Sequence, residues 1–194
     1  MDSRGFPPIA RRDARVLVLG SLPGQESLRR RQYYAQPRNA FWRIMGELFG
    51  ASPALPYARR VARLRACRVA VWDVCERAWR AGSLDAAIEP ASIVVNDFGA
   101  FFARHPRIRL VCLNGGKAFE LYRRRVLPAL PPEAAALPLL RLPSTSPAHA
   151  ARPFAAKLAA WRALGVAAGR DAGARRVKKG TALPTTGSIA RPGT

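Results

Sequence analysis

The short apolar stretch Val16-Leu17-Val18-Leu19, closed by Gly20, decides the fold class of this chain. It is too short for a helix and ends at a turn residue, which is typical of a buried strand. Similar runs recur at 69–72, 110–113 and 139–142. Between the runs, apolar residues repeat at helical spacing over 41–49, 119–126 and 154–164. Strands that alternate with helices predict an α/β fold, in which helices cover both faces of a parallel sheet.

In a sheet of this kind, ligands bind beyond the carboxyl ends of the strands. The candidate site is therefore expected in the segments that follow the four predicted strands, which are 20–39, 73–83, 114–117 and 143–149. None of these segments carries the glycine pattern of a dinucleotide-binding turn or the Gly-Lys-Ser/Thr of a phosphate loop. We therefore expect no nucleotide cofactor, and a small-molecule enzyme is disfavoured.

The charge balance of the chain indicates a polyanionic partner. The 194 residues include 33 Lys and Arg against 12 Asp and Glu, which gives a formal net charge of +21. Residues 169–194 hold six of the basic residues and one Asp, so residues 1–168 keep a charge of +16. Because such a field attracts polyanions over a distance, nucleic acid is the expected partner.

Composition divides the chain into an N-terminal extension (1–14), a globular domain (15–168) and a tail (169–194) that is predicted to be basic and disordered. No apolar run approaches the roughly 20 residues of a membrane-spanning helix. The three cysteines are too few and too scattered for a disulfide framework or a zinc site. We expect a cytoplasmic monomer with no metal and no membrane partner, associated with the bacterial nucleoid when it binds DNA.

Three of the segments after the strands hold residues suited to nucleic acid. The first combines the arginines at 29–31 with Tyr33 and Tyr34, and cations beside aromatic rings suit phosphates and bases. Tyrosines that only plug the edge of the core are the alternative. The residues at 144–146 offer hydroxyl groups and amides to phosphates, although Ser and Thr also cap helices. Asp73 ends an apolar strand, where a carboxylate is costly unless it has a structural partner or a ligand.

Three longer motifs stand in order along the chain: Gly20-Ser-Leu-Pro-Gly24, Tyr33-Tyr-Ala-Gln-Pro-Arg-Asn-Ala-Phe-Trp42 and Leu142-Pro-Ser-Thr-Ser-Pro-Ala148. They resemble the motifs of the uracil-DNA glycosylase superfamily, and most closely those of its hypoxanthine-DNA (DNA-deoxyinosine) glycosylase branch. Shorter stretches also resemble that branch, namely Trp72-Asp73, Gly82-Ser-Leu-Asp85 and Leu113-Asn-Gly-Gly116.

The resemblance implies a three-layer α/β/α fold with a central four-stranded parallel sheet. It also implies a monofunctional enzyme that hydrolyses the base–deoxyribose bond in double-stranded DNA, without a metal or cofactor. Hypoxanthine, which is deaminated adenine, is the expected base, and base excision repair is the expected process. Such an enzyme takes the damaged nucleotide out of the duplex and into a pocket.

The resemblance also assigns roles to individual residues. Asn39 would be the catalytic residue, because an amide at the start of a helix can position water or stabilise an oxocarbenium-like state. Tyr34 would stack on the flipped base, and Asp73 would accept the N1–H of hypoxanthine, a donor that adenine lacks. The other expected contacts are Gly20 and Ser21 to the base, and Arg38, Ser144, Thr145 and Ser146 to the DNA.

Four positions depart from the pattern that the resemblance leads us to expect. Leu22 stands where many members carry a water-positioning Asp or Asn, and Leu142 replaces a histidine of the classical uracil enzymes. Gln36 stands where this branch has histidine, and His149 where it has asparagine. Two other hypotheses stay open: a glycosylase for uracil or for several deaminated bases, and a non-catalytic protein that binds damaged DNA.

Overall fold

The computed structural model describes residues 2–169. Its strands are β1 (Asp2–Arg4), β2 (Val16–Gly20), β3 (Val69–Asp73), β4 (Cys75–Trp79), β5 (Val94–Val95), β6 (Leu110–Asn114) and β7 (Leu139–Leu142). Its α-helices are α1 (Gln25–Arg30), α2 (Phe41–Phe49), α3 (Tyr57–Ala66), α4 (Phe98–Arg104), α5 (Gly116–Leu121), α6 (Pro132–Ala135), α7 (Phe154–Trp161) and α8 (Ala163–Ala167). Apart from Gly169, the predicted basic tail lies outside the described residues.

The main sheet has the strand order β3-β2-β6-β7, with every neighbouring pair parallel. These are the four strands expected from the apolar runs, so the prediction of an α/β fold with a four-stranded parallel sheet is confirmed. Every residue of β2 is buried, as a central strand covered on both faces requires. The register places Gly20 opposite Asp73 and Asn114 opposite Leu142. The segments after the strands therefore meet at one edge of the sheet.

A second, antiparallel sheet with the order β1-β4-β5 was not predicted from the sequence. Only Val74 separates β3 from β4, so the chain passes from one sheet to the other almost without a loop. Asp2 pairs with Trp79 across β1 and β4, and Ile9 forms a bridge with Val71. The segment expected to be an extension thus contributes a strand and a buried side chain.

The helices follow the predicted apolar periodicity closely. In α2 the buried side chains are Phe41, Trp42, Ile44, Met45 and Phe49. The helix expected over 119–126 is α5 followed by a wider π-helical turn, and the one expected over 154–164 is divided between α7 and α8. The indole N–H of the buried Trp161 donates to the carbonyl of Pro143 at 3.0 Å. Helix α7 therefore anchors the loop that follows β7.

Within residues 2–169, every helix is too short or too polar to cross a membrane. The same part of the chain contains no cluster of His, Cys, Asp and Glu side chains that would suit a metal ion.

Candidate active site

A cavity of about 660 Å³ opens at the edge of the sheet where the parallel strands end. The structure brings all nine predicted site residues to its lining: Gly20, Ser21, Tyr34, Arg38, Asn39, Asp73, Ser144, Thr145 and Ser146. Three of the departures from the expected pattern, Leu22, Gln36 and His149, also line it. The rule that ligands bind beyond the carboxyl ends of parallel strands therefore located the cavity.

Asp73 places a buried carboxylate in the wall of this cavity. The residue is 4% exposed, and its Oδ2 has no hydrogen-bond partner within residues 2–169. Loss of hydration raises the pKa of Asp73 to about 7, the negative charge of Asp85 raises it further, and the positive charge of Arg80 opposes both. A carboxylate in this condition is available to a ligand that offers an N–H group.

Tyr34 lies beside Asp73 in a conformation that its neighbours impose. Its φ of 54° is in the left-handed region, and its ring stacks on Phe41 with the centroids 3.9 Å apart. Burial and the charge of Asp73 raise the pKa of Tyr34, so the hydroxyl stays protonated. The amide of Asn114 is near enough to oppose this shift weakly, but the hydroxyl has no well-formed hydrogen bond within the described chain.

Gly20 leaves the space in which these two polar groups face each other. A Cβ atom at Gly20 would overlap Oδ1 of Asp73 and lie 3.0 Å from the hydroxyl oxygen of Tyr34. Because Asp73 is buried, it cannot move away freely. The absence of a side chain at position 20 is therefore a requirement of this wall of the cavity.

Replacing Gly20 with Ala is expected to lower the rate of the cavity's reaction by about 100-fold, since displacements of about 1 Å at a reacting site have costs of that size. Gly24→Ala is the matched control, because its added methyl group would meet only Ser83, at an ordinary contact distance of 3.6 Å. Single-turnover rates of both variants check this, and equal effects at the two glycines would contradict it.

Asn39 is held at the start of helix α2. Its Oδ1 accepts the N–H of Phe41 at 3.0 Å, and its backbone N–H donates to the carbonyl of Gln36 at 2.9 Å. An amide oxygen has a second lone pair, and the NH₂ group of Asn39 has no partner within residues 2–169, so both remain for a ligand or a water molecule in the cavity. The amide is a poor base, and what the site offers is a fixed position for these groups.

The loop after β7 is locked to the sheet by a reciprocal pair of hydrogen bonds. The N–H of Thr145 donates to Oδ1 of Asn114, and Nδ2 of Asn114 donates to the hydroxyl of Thr145, both at 2.9 Å. The carbonyl of Thr145 accepts the N–H of Ala40 at 3.0 Å, which connects the loop to the start of α2. Asn114 thus couples the serine loop to the helix that presents Asn39, and only its position after a strand marked it in the sequence.

This arrangement corrects the expectation that Thr145 contacts DNA directly. Thr145 is 1% exposed, and its N–H, carbonyl and hydroxyl groups are all engaged in positioning the loop. Ser144 and Ser146 are half-buried, and each hydroxyl oxygen accepts a backbone N–H two residues ahead. Their hydroxyl protons remain for phosphate oxygens, so capping and phosphate binding are compatible at these two residues.

The wall opposite the serine loop depends on a buried arginine that the sequence did not reveal. Arg80 is 1% exposed, and its guanidinium donates to the carbonyls of Gly82 and Pro23. The hydroxyl of Ser21 donates to Asp85 at 2.6 Å, so this hydroxyl supports the wall rather than facing a ligand. The predicted contact of Ser21 with a base is therefore left to its backbone.

Comparison with known proteins identifies the family. The profile of the uracil DNA glycosylase superfamily matches residues 7–165, which include both sheets and the whole cavity lining. The chain belongs to the uracil DNA glycosylase superfamily. This membership confirms the family expected from the three motifs.

Other superfamily members show how far the similarity extends. A Methanosarcina acetivorans protein named hypoxanthine DNA glycosylase is 38% identical over 138 residues, which cover 66% of this chain and 86% of that protein. A protein of the same name from Methanosarcina barkeri is 36% identical over 121 residues, covering 62% of this chain and 75% of its own. A solution NMR structure from Methanosarcina acetivorans, described as a uracil DNA glycosylase, matches with a TM-score of 0.68 and 34% identity. That match covers 84% of this chain and 99% of the NMR structure's chain.

Proposed function

We propose that this superfamily member is a monofunctional DNA glycosylase that hydrolyses the N-glycosidic bond of hypoxanthine in double-stranded DNA. The observation that carries the proposal is the convergence of Asn39, Tyr34 and Asp73 on one cavity at the carboxyl edge of the sheet. The names of the two Methanosarcina relatives support hypoxanthine as the base. The products would be free hypoxanthine and an abasic site, which is the substrate of later steps in base excision repair.

Base recognition rests on the carboxylate of Asp73. Hypoxanthine carries a hydrogen on N1, whereas N1 of adenine is an acceptor, so an ionised Asp73 would bind the first base and repel the second. A carboxylate that lacks an intramolecular partner would thereby gain a charge-assisted hydrogen bond. Uracil offers a similar N3–H, and this is the specific reason to retain a uracil or mixed deaminated-base glycosylase as the second candidate.

Stacking would hold the flipped base against Tyr34. Phe41 covers one face of the Tyr34 ring, which leaves the opposite face for a base that enters the cavity. The stack of Phe41 on Tyr34 fixes the ring in advance, so little conformational entropy is lost when a base binds. The cost of unstacking the nucleotide from the duplex, a few kcal/mol, is lowest at a mispaired base such as hypoxanthine.

Hydrolysis would use a water molecule that Asn39 positions beneath C1′ of the sugar. The water oxygen forms a bond to C1′, the bond from C1′ to the base breaks with its electron pair going to the base, and protons pass to solvent and to the base. The described lining of the cavity contains no lysine, and an amine is what a glycosylase needs to form a Schiff base and cleave the strand. A monofunctional reaction is the proposal that fits this lining.

The duplex would be held by groups at the rim and by the net charge of the protein. Arg38 is exposed at the cavity mouth, and the hydroxyl groups of Ser144 and Ser146 face the same space. The formal charge of +21 provides the non-specific attraction. We further propose that the protein acts as a monomer in the cytoplasm, and that the tail at 169–194 strengthens DNA binding without selecting the base.

Single-turnover base release from matched duplexes tests the proposal. Duplexes that carry deoxyinosine, deoxyuridine or deoxyxanthosine at one position are expected to rank with deoxyinosine first, and the strand is expected to stay intact until alkali cleaves the abasic site. Preferred release of uracil would favour the second candidate. Tight binding to the damaged duplexes without release from any of them would favour a non-catalytic DNA-binding protein.

A further inference from the structure

A second cavity, of about 570 Å³, lies on the other side of the serine loop from the active-site cavity. Ser144, Ala148 and His149 line both spaces, so the two cavities share a wall. We call the second one the cationic pocket, and the residues of its lining that matter here are Gly115, Gly116, Arg141, Ser144, Arg152 and Lys157.

Lys157 is the unusual member of the cationic pocket. It lies in α7 and is 5% exposed, yet no carboxylate within residues 2–169 pairs with its ammonium group. Loss of hydration lowers the pKa of Lys157, and the positive charge of Arg152 lowers it further. A buried ammonium group next to a like charge is costly unless an anion compensates it. The described part of the chain provides none.

The opposite side of the pocket is also cationic and depends on two glycines. A Cβ atom at Gly116 would lie 2.9 Å from Nη2 of Arg141, so this guanidinium rests against bare backbone. Gly115 has a φ of 100°, and a Cβ atom there would lie 3.0 Å from Cβ of Ser144. Arg141 has no carboxylate partner within residues 2–169 either. The glycine pair thus permits a close approach between Arg141, the serine loop and the start of α5.

We propose that the cationic pocket is a subsite for one phosphodiester group of the substrate strand, next to the nucleotide in the active-site cavity. Lys157 and Arg141 supply the charge, and the hydroxyl of Ser144 lies between the two spaces. Ammonium and guanidinium groups have donors only, which matches a phosphodiester with its anionic oxygens. This inference rests on the proposed function in so far as it takes DNA to be the ligand.

A phosphate-neutralisation scan locates such a contact. The ligand is a duplex with a tetrahydrofuran abasic-site analogue, in which one phosphate at a time near the lesion is replaced by a neutral methylphosphonate. Wild-type affinity, measured by fluorescence anisotropy at fixed salt, is expected to fall by about tenfold or more at one position, as for loss of a charge-assisted hydrogen bond. Lys157→Met is expected to bind the unmodified duplex with a similar loss and to be insensitive to the replacement at that position.

Lys117→Met is the matched control, because it removes the same charge from a lysine that already pairs with Glu120 at 3.7 Å. It is expected to respond to every methylphosphonate as the wild type does. Arg141→Met tests the same phosphate from an exposed residue, so the scan does not depend on the folding of the Lys157 variant. The proposal is overturned if the Lys157 and Arg141 variants show the wild-type pattern at all positions. Because the abasic ligand contains no base to release, the scan is independent of the proposed glycosylase activity.

Discussion

Replacing Asn39 with Ala is expected to lower the single-turnover rate of hypoxanthine release by at least about 100-fold, with little change in affinity for the damaged duplex. One prepositioned polar group that acts on the transition state has an effect of this size. The structure fixes Asn39 through the N–H of Phe41 and the carbonyl of Gln36, and it leaves a lone pair and the NH₂ group for water. The rate and the affinity are measured on the same deoxyinosine duplex.

The same substitution removes an acceptor at the start of α2, which is expected to reduce the free energy of unfolding by about 1 kcal/mol. Asn39→Ser separates this effect from catalysis. A serine hydroxyl can still accept the N–H of Phe41, but it is too short to hold water at the place that the amide reaches. Release by the Asn39→Ser variant at the wild-type rate would contradict the role assigned to Asn39.

Replacing Asp73 with Asn is expected to raise the stability of the protein and to remove the pH dependence of its activity. The folded pKa of Asp73 is raised to about 7 from 3.8, so the folded state binds more protons than the unfolded state between these values. The free energy of unfolding of the wild type therefore falls as pH rises from about 4 to about 7, by up to about 4 kcal/mol. The Asn variant lacks this loss, so its advantage in Tm grows over that interval and stays constant above pH 7.

The activity of the wild type is expected to change in the opposite direction. If the ionised carboxylate accepts N1–H of hypoxanthine, kcat/KM rises about tenfold per pH unit up to about pH 7 and then levels off. The Asn variant has a neutral acceptor and is expected to be slower at pH 8 and flat across the range. Asp85→Asn removes a charge that raises the pKa of Asp73, so it is expected to shift both wild-type profiles to lower pH. A Tm difference between the Asp73→Asn variant and the wild type that is independent of pH would contradict this account.

The main sheet and the location of the cavity could be predicted from the sequence because both depend on local patterns. Runs such as Val16–Gly20 are apolar throughout, and the direction of parallel strands sends the segments after them to one edge. The second sheet could not be predicted in this way. Its strands β1 and β5 have three and two residues, which is too short for a periodic pattern, and β4 follows β3 after a single residue.

Within the site, the sequence indicated which residues meet but not what each polar group does there. Arg80 is an ordinary basic residue in a basic sequence, and only the fold shows that it is buried against carbonyl groups. Thr145 looked like its two serine neighbours, yet its reciprocal bonds with Asn114 make it a positioning residue. Such distinctions depend on partners far apart in the chain, which short motifs do not encode.

The most direct test of the account is detection of free hypoxanthine, by mass and chromatography, after a single turnover of a deoxyinosine duplex by the wild type and by Asn39→Ser. The account predicts stoichiometric free base and an abasic strand with the wild type, and about 100-fold slower release with the variant. A wild type that binds this duplex without releasing hypoxanthine would contradict the proposed reaction. Equal rates for the two proteins would show that the reaction does not depend on Asn39.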